Sequence, residues 1–296
     1  MSELNKKIAR VPLIGAIALR AYRARVALGY YRSPLSNLLT WIFKSRETSN
    51  FTYDLQDLNK RYLAALIAQV VGTASSVIMA YFEEIETDAG LKRHISEATT
   101  RSDRAFMADT DVRFARRIGW YAFARALKPR IIVETGVDKG LGSCVLTAAL
   151  ARNAQEGHGG EYFGLDINPS AGYLLSDPYA NYGRILHGDA IESLRKIDSG
   201  IDLYISDSDH SADYEALEYK AVAGKLSPRA IILSDNAHVT DKLLEFSLAT
   251  NRHFLYFQEK PSNHWYPGGS IGISYSPGAW QSINSFSDSR ATEETT

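Results

Sequence analysis

From Arg130 onward, short apolar runs recur at Arg130–Thr135, Glu161–Asp166, Arg184–His187, Ile201–Ser206 and Arg229–Ser234, with helical stretches between them. Strand-length runs separated by helix-length ones are the pattern of β-α units, so a parallel sheet with helices on both faces is expected. After a helical stretch around Asp241–Thr250 come two more runs, Arg252–Gln258 and Ser270–Tyr275, joined by EKPSNHWYPGG. No helix fits between them, so the sheet should end in an antiparallel hairpin. Such sheets bind ligands at the carboxyl ends of their strands, near the switch in strand order. The ends to inspect are Glu134, Asp166, Asp189, Asp207 and Asp235.

The first strand runs into VETGVDKGLGSCVLTAAL, where Gly136, Gly140 and Gly142 permit a tight turn and close approach of a ligand before a helix begins. The spacing is not the G-x-G-x-x-G of a dinucleotide fingerprint, which disfavours a dehydrogenase, and there is no Lys-Ser/Thr of a phosphate-binding loop. Glu134, two residues before the first glycine, would repel a pyrophosphate but could hold the ammonium of an amino-acid-bearing cofactor. Asp166 suits the two hydroxyls of a ribose, and Asp189 could accept from an adenine amino group. Singly, each acid is more often a cap or a solvated loop residue. Three at successive strand ends argue together.

From about Gly119 to Tyr275 the chain resembles a class I S-adenosylmethionine-dependent methyltransferase, and more narrowly the bacterial methyltransferase-24 branch. VETGVDKGLGS is similar to that branch's E-T-G-V-x-x-G-x-S loop, DLYISDSDHS to its strand followed by D-S-D-H-[ST], and PRAIILSDNAH to its L-S-D-D or L-S-D-N. The resemblance implies a Rossmann-like α/β sheet of seven strands with the last antiparallel. It assigns S-adenosylmethionine to Glu134, Thr135, Gly136, Gly140, Ser143, Asp166, Asp189 and Asp207. Gly142 stands where the family often has serine, with Ser143 one place later, so the hydroxyl that would touch the cofactor is in question.

In the implied sheet order, Asp207 lies beside the methyl-bearing end of the cofactor and next to the strand ending in Asp235-Asn236. The resemblance to metal-dependent O-methyltransferases makes Asp207, Asp235 and Asn236 a metal set, and all-oxygen donors suit Mg²⁺, with Mn²⁺ or Ca²⁺ as substitutes, rather than Zn²⁺. Asp209 and Ser211 read as the cap of the following helix. Related sugar O-methyltransferases place a histidine base at the position of His210, so His210 and Asp207 are the catalytic candidates, with His238 and His264 as competitors. Trp265 and Tyr266 could stack on a sugar or aromatic ring, or pack under their own loop. Cys144 reads as a small packing residue. The expected activity is O-methylation of a small molecule or saccharide, the alternative a non-catalytic cofactor-binding module.

The stretch up to about Arg117 carries no motif that names a family. Four segments are expected: a basic amphipathic arm (1–46), a helical accessory region (47–118), the methyltransferase domain (119–276) and a polar tail (277–296). The arm carries nine cations from Lys6 to Arg46 against Glu3 alone, with Leu, Ile and Tyr between them, and Ser33-Pro34 as cap and first turn of a helix. Such an arm can lie in the headgroup layer of an anionic membrane, or pack on its own domain or a second subunit of a homo-oligomer. Tyr62–Phe82 is uncharged and long enough to span a bilayer, but its Ala/Gly/Ser/Thr face favours a buried helix. A net charge of −1 gives no argument for nucleic acid. A single cysteine and Pro12 within the first apolar run point to a cytoplasmic protein, at most peripheral at the inner face of a membrane.

Overall fold

The computed structural model describes residues 12–49, 51–209, 211–235 and 237–277. Two compact units divide them: 12–45 together with Asn263–Pro267, and the remainder from Arg46 onward.

The larger unit is built on the β-α repeats. In chain order its strands are β1 (Asp54–Leu55), β2 (Ile131–Thr135), β3 (Glu161–Asp166), β4 (Gly183–His187), β5 (Ile201–Ser206), β6 (Leu226–Ser234), β7 (His253–Gln258), β8 (Pro261–Ser262) and β9 (Ser270–Tyr275). Seven form one sheet in the order β4-β3-β2-β5-β6-β9-β7. The order reverses beside β2, because β3 and β5 both pair with it in parallel. The expected hairpin is present, with β9 inserted between β6 and β7 and antiparallel to both. β5 shows why alternation understated burial: Ile201, Leu203 and Ile205 are buried, and so are Tyr204 and Ser206, since helices cover both faces. One face packs Val133, Leu165, Tyr204 and Ile232 against Leu194, Tyr219, Val222 and Leu243.

Residues 57–127 belong to this unit rather than to a separate body. The uncharged stretch is two helices, Asp57–Val71 and Ser75–Glu86, not one. Gly72 ends the first in the left-handed conformation (φ 70°), which glycine adopts without side-chain strain, and the pair bends by 120°. Leu63, Ile67, Val70, Ile78, Phe82 and Ile85 are buried, as are Ala64 and Ala68 on the small-residue face. Both helices pack on the helix Arg117–Leu127. No single helix among the described residues is long and apolar enough to cross a membrane, though this bent pair passes on length and composition together.

The start of the unit is fastened to its end. β1 pairs antiparallel with β8, and Gln56 N donates to Lys260 O at 2.9 Å. Asn59 donates to Gln258 O at 3.0 Å and accepts from Lys260 N at 2.9 Å.

In the smaller unit, one helix runs from Pro12 to Lys44 through Pro34, where a helix start was expected. Proline removes one donor from the ladder, and the turns on either side carry the helix across. Asn37 Nδ2 donates to His264 O at 3.5 Å, and Trp41 packs on Trp265 with ring centroids 5.1 Å apart. Trp265 also stacks on His264 and meets Tyr266 edge-on, so the aromatic pair of the last loop is engaged within this unit.

Candidate active site

Where β2, β3 and β5 end, a cavity of about 470 Å³ opens, lined among others by Arg117, Gly136, Val137, Asp166, Asp189, Asp207 and Tyr214. Gly136 shapes it. Its φ is +81°, and a Cβ there would sit 1.9 Å from the carbonyl oxygen of Asp207. The turn after β2 therefore lies directly on the end of β5, a contact only glycine permits.

Asp166 fixes the same turn from the other side. Its Oδ2 accepts from Val137 N and Asp138 N, both at 2.9 Å, and its Oδ1 from Asn168 N at 2.8 Å. Carboxylate oxygens have two lone-pair sites each, so this anchoring leaves Asp166 capacity for a ligand. Asp189 caps the helix Ala190–Lys196 through Glu192 N (2.9 Å) and accepts from Tyr214 Oη at 3.3 Å.

Four residues expected at the cofactor do not line the cavity. Glu134 is 1% exposed, bonded to Tyr162 Oη and packed beneath Gly142, where a Cβ would collide with its carboxylate. Burial pushes its pKa up to about 7. The space beside Gly142 is filled by Glu134 and Trp120, which is why no serine side chain fits there. Ser143 is buried one residue on, its hydroxyl 2.7 Å from Tyr162 Oη. Thr135 is buried 3.4 Å from Tyr204 Oη and Ile205 O. Gly140 (φ +96°) packs on the backbone of Gly172.

The expected metal set is not confirmed. His210 and Asn236 lie outside the described residues. Asp207 and Asp235 do come together, but Arg116 grips both oxygens of Asp235, through Nε and Nη2. The same guanidinium reaches Glu259 Oε2 at 3.4 Å, and Arg117 lies 3.8 Å from Asp207 Oδ2. Two guanidinium groups thus stand where a divalent ion would need vacant oxygen donors, and their charge opposes a second cation. Among the described residues no three His, Cys, Asp or Glu side chains are grouped to hold a metal. These residues do not fit the ion.

The two carboxyls are pushed in opposite directions. Burial raises the pKa of Asp207 well above its usual range, and the neighbouring charge of Asp235 adds to the shift. Burial would also raise Asp235, but Arg116, Asp207 and Arg117 together outweigh it and hold the group below its ordinary value. Asp207, the member pushed toward its neutral form, faces the cavity.

Sequence reasoning missed Arg116 and Arg117. The available signal was two adjacent arginines opening an otherwise apolar helix, ARRIGWYAFARAL, with no solvated face to receive them. Glu259 (0% exposed) was missed as well; it accepts from Tyr53 Oη at 2.7 Å and Gly269 N at 2.8 Å. Asp209 bonds Ser211 N at 3.1 Å, as a cap-supporting residue should, although it also borders the cavity. His238 meets Ser270 Oγ at 3.2 Å, and His264 Nδ1 accepts from Tyr266 N at 3.0 Å. Cys144 is fully buried.

The family described as "Methyltransferase domain" (methyltransferase-24) matches residues 133–237, from β2 through the end of β6. Residues 133–237 thus carry the sequence pattern of a methyltransferase domain. A putative O-methyltransferase from Klebsiella pneumoniae superimposes with a TM-score of 0.50 at 14% identity, covering 64% of this chain and 90% of its own. Cofactor-bound Rv0187 from MTB gives a TM-score of 0.50 at 15% identity, covering 64% and 92%. At such identities the likeness is one of fold. No curated protein matches the chain. The methyltransferase domain takes S-adenosylmethionine as methyl donor, and the family match ends just past the tip of β6.

Proposed function

We propose that this methyltransferase is an O-methyltransferase acting on a hydroxyl of a small molecule or saccharide, without a metal ion. The observation that carries the reading is the convergence of Gly136, Asp166, Asp189 and Asp207 on one cavity at the switch in strand order. Asp166 accepts from a ribose hydroxyl through its remaining Oδ1 site while tying down the turn that cradles the amino-acid end. Asp189, held by Tyr214, accepts from the adenine amino group. Asp207, whose carboxyl burial and the charge of Asp235 push toward the neutral form, stands at the methyl-bearing end, and Arg116 holds the neighbouring Asp235 toward its ionised form.

Bound side by side, sulfonium and acceptor oxygen need little more than alignment, which is the largest saving in a two-substrate reaction. The oxygen attacks the methyl carbon in line as the bond to sulfur breaks, leaving S-adenosylhomocysteine. The acceptor's proton goes to a base, and His210, three residues beyond Asp207, is the candidate for that role.

The test is calorimetry with S-adenosylmethionine, followed by incubation with labelled donor and fractionated extract. Asp166→Ala should weaken cofactor binding by about tenfold or more, because it removes both ligand and loop contacts. Excess EDTA should leave turnover on the acceptor unchanged, and NMR of the product should place the new methyl on oxygen. Loss of turnover in EDTA, restored by Mg²⁺, would reject the metal-free reading. Cofactor binding with no labelled product in any fraction would favour a non-catalytic module.

A further inference from the structure

The helix Pro12–Lys44 carries more cations than any other helix described. It contains Arg20, Arg23, Arg25, Arg32 and Lys44 and no acidic residue at all. Eight of its large apolar side chains are more than half exposed: Ile17, Leu28, Tyr30, Tyr31, Leu35, Leu39, Ile42 and Phe43. At 100° per residue all but Tyr30 and Phe43 fall within an arc of about 80°. Arg20 borders that arc on one side, and Arg25 and Arg32 on the other. Asn37 and Trp41, which meet the loop Asn263–Pro267, lie on a different part of the circumference. The stripe is thus left open by the contact that the helix does make.

An apolar stripe edged by arginines, with no carboxylate anywhere along 33 residues, is matched by one kind of surface. The arc can enter the acyl boundary of a bilayer while the arginine stems run along it and their heads meet phosphate. We propose that this helix lies flat on an anionic lipid bilayer, Ile17, Leu28, Tyr31, Leu35, Leu39 and Ile42 downward, with Arg20, Arg25 and Arg32 in the headgroup layer. Pairing with the same helix of a second copy would bring five cations against five with no acid to answer them. That charge pattern decides between the two occupants. The inference stands whether or not the acceptor is the one proposed above.

The full chain should be sedimented with vesicles of phosphatidylcholine alone and with about 30 mol% phosphatidylglycerol added, at low and high salt. It should pellet with the anionic vesicles, about tenfold or more above the neutral ones, and be released by salt. Arg25→Gln/Arg32→Gln and Leu28→Asn/Leu35→Asn should each weaken pelleting by about tenfold or more, the first through charge and the second through apolar burial. Unchanged melting and S-adenosylmethionine affinity in both variants would show that the rest of the chain is intact. Equal pelleting with neutral and anionic vesicles, or none with either, overturns the proposal. So does lipid-free self-association that Leu28→Asn/Leu35→Asn abolishes, which would assign the stripe to a second copy.

Discussion

Gly136 carries a demand that no other residue type meets. Its positive φ and the 1.9 Å approach of a hypothetical Cβ to Asp207 O leave alanine neither the backbone region nor the space. Gly136→Ala should cost roughly 3 kcal/mol or more of stability and abolish cofactor binding, measured by denaturation and calorimetry. Glu134 makes a second residue-scale prediction, in pH. Burial raises its folded pKa from 4.5 to about 7, so the fold favours the protonated form. The stabilisation is then fully present below the unfolded pKa and lost as pH rises through about 7, amounting to about 3 kcal/mol. Urea unfolding from pH 4 to 8 should show stability falling with pH, with Glu134→Gln flattening the slope. Glu218, raised by burial to about 7 as well, will leave a residual slope of the same sign. Identical slopes in variant and parent would mean that Glu134 is ionised in the fold.

The helix Arg117–Leu127 is the element on which the site's electrostatics turn. Arg116, at its N-cap, is the partner of Asp235 and Glu259, which are 3% and 0% exposed. Arg116→Ala would strand both carboxylates and should cost about 3–5 kcal/mol, read as a lower denaturation midpoint. This element also marks the limit of what the sequence disclosed. Strand–helix alternation identifies the sheet because the periods are local, and the antiparallel close follows from the missing helix between Arg252–Gln258 and Ser270–Tyr275. The acids at Asp166, Asp189 and Asp207 follow from strand ends in the same way. Arg116 was not legible because its partner stands 119 residues away, and nothing local distinguishes a buried guanidinium from a solvated one. Glu134 and Ser143 misled for a related reason: a strand end gives the height of a side chain but not whether a neighbour such as Tyr162 draws it inward.

At the scale of the molecule, the unit that holds the cavity begins near Arg46, although the family resemblance begins only at about Gly119. A fragment starting at Gly119 lacks Arg116, Tyr53 and the helices packed on Arg117–Leu127. It should show no cooperative unfolding transition, whereas the full chain should melt sharply. Asn59→Ala is a milder probe of the same closure. It removes two hydrogen bonds that span about 200 residues and should cost roughly 1–3 kcal/mol.

That closure has a consequence in time. Residues 53–59 leave the ribosome early, but their partners at 258–262 are translated about 200 residues later, a wait of roughly 10–40 s at ordinary elongation rates. Through that interval the Tyr53 hydroxyl, the Gln56 N–H and the Asn59 side chain have only water or the wrong strand to bond with. A nascent chain stalled before Phe257 should therefore be cut by protease near β1, and one released after Tyr275 should resist it. The last hairpin to be made is what seals the beginning of the domain.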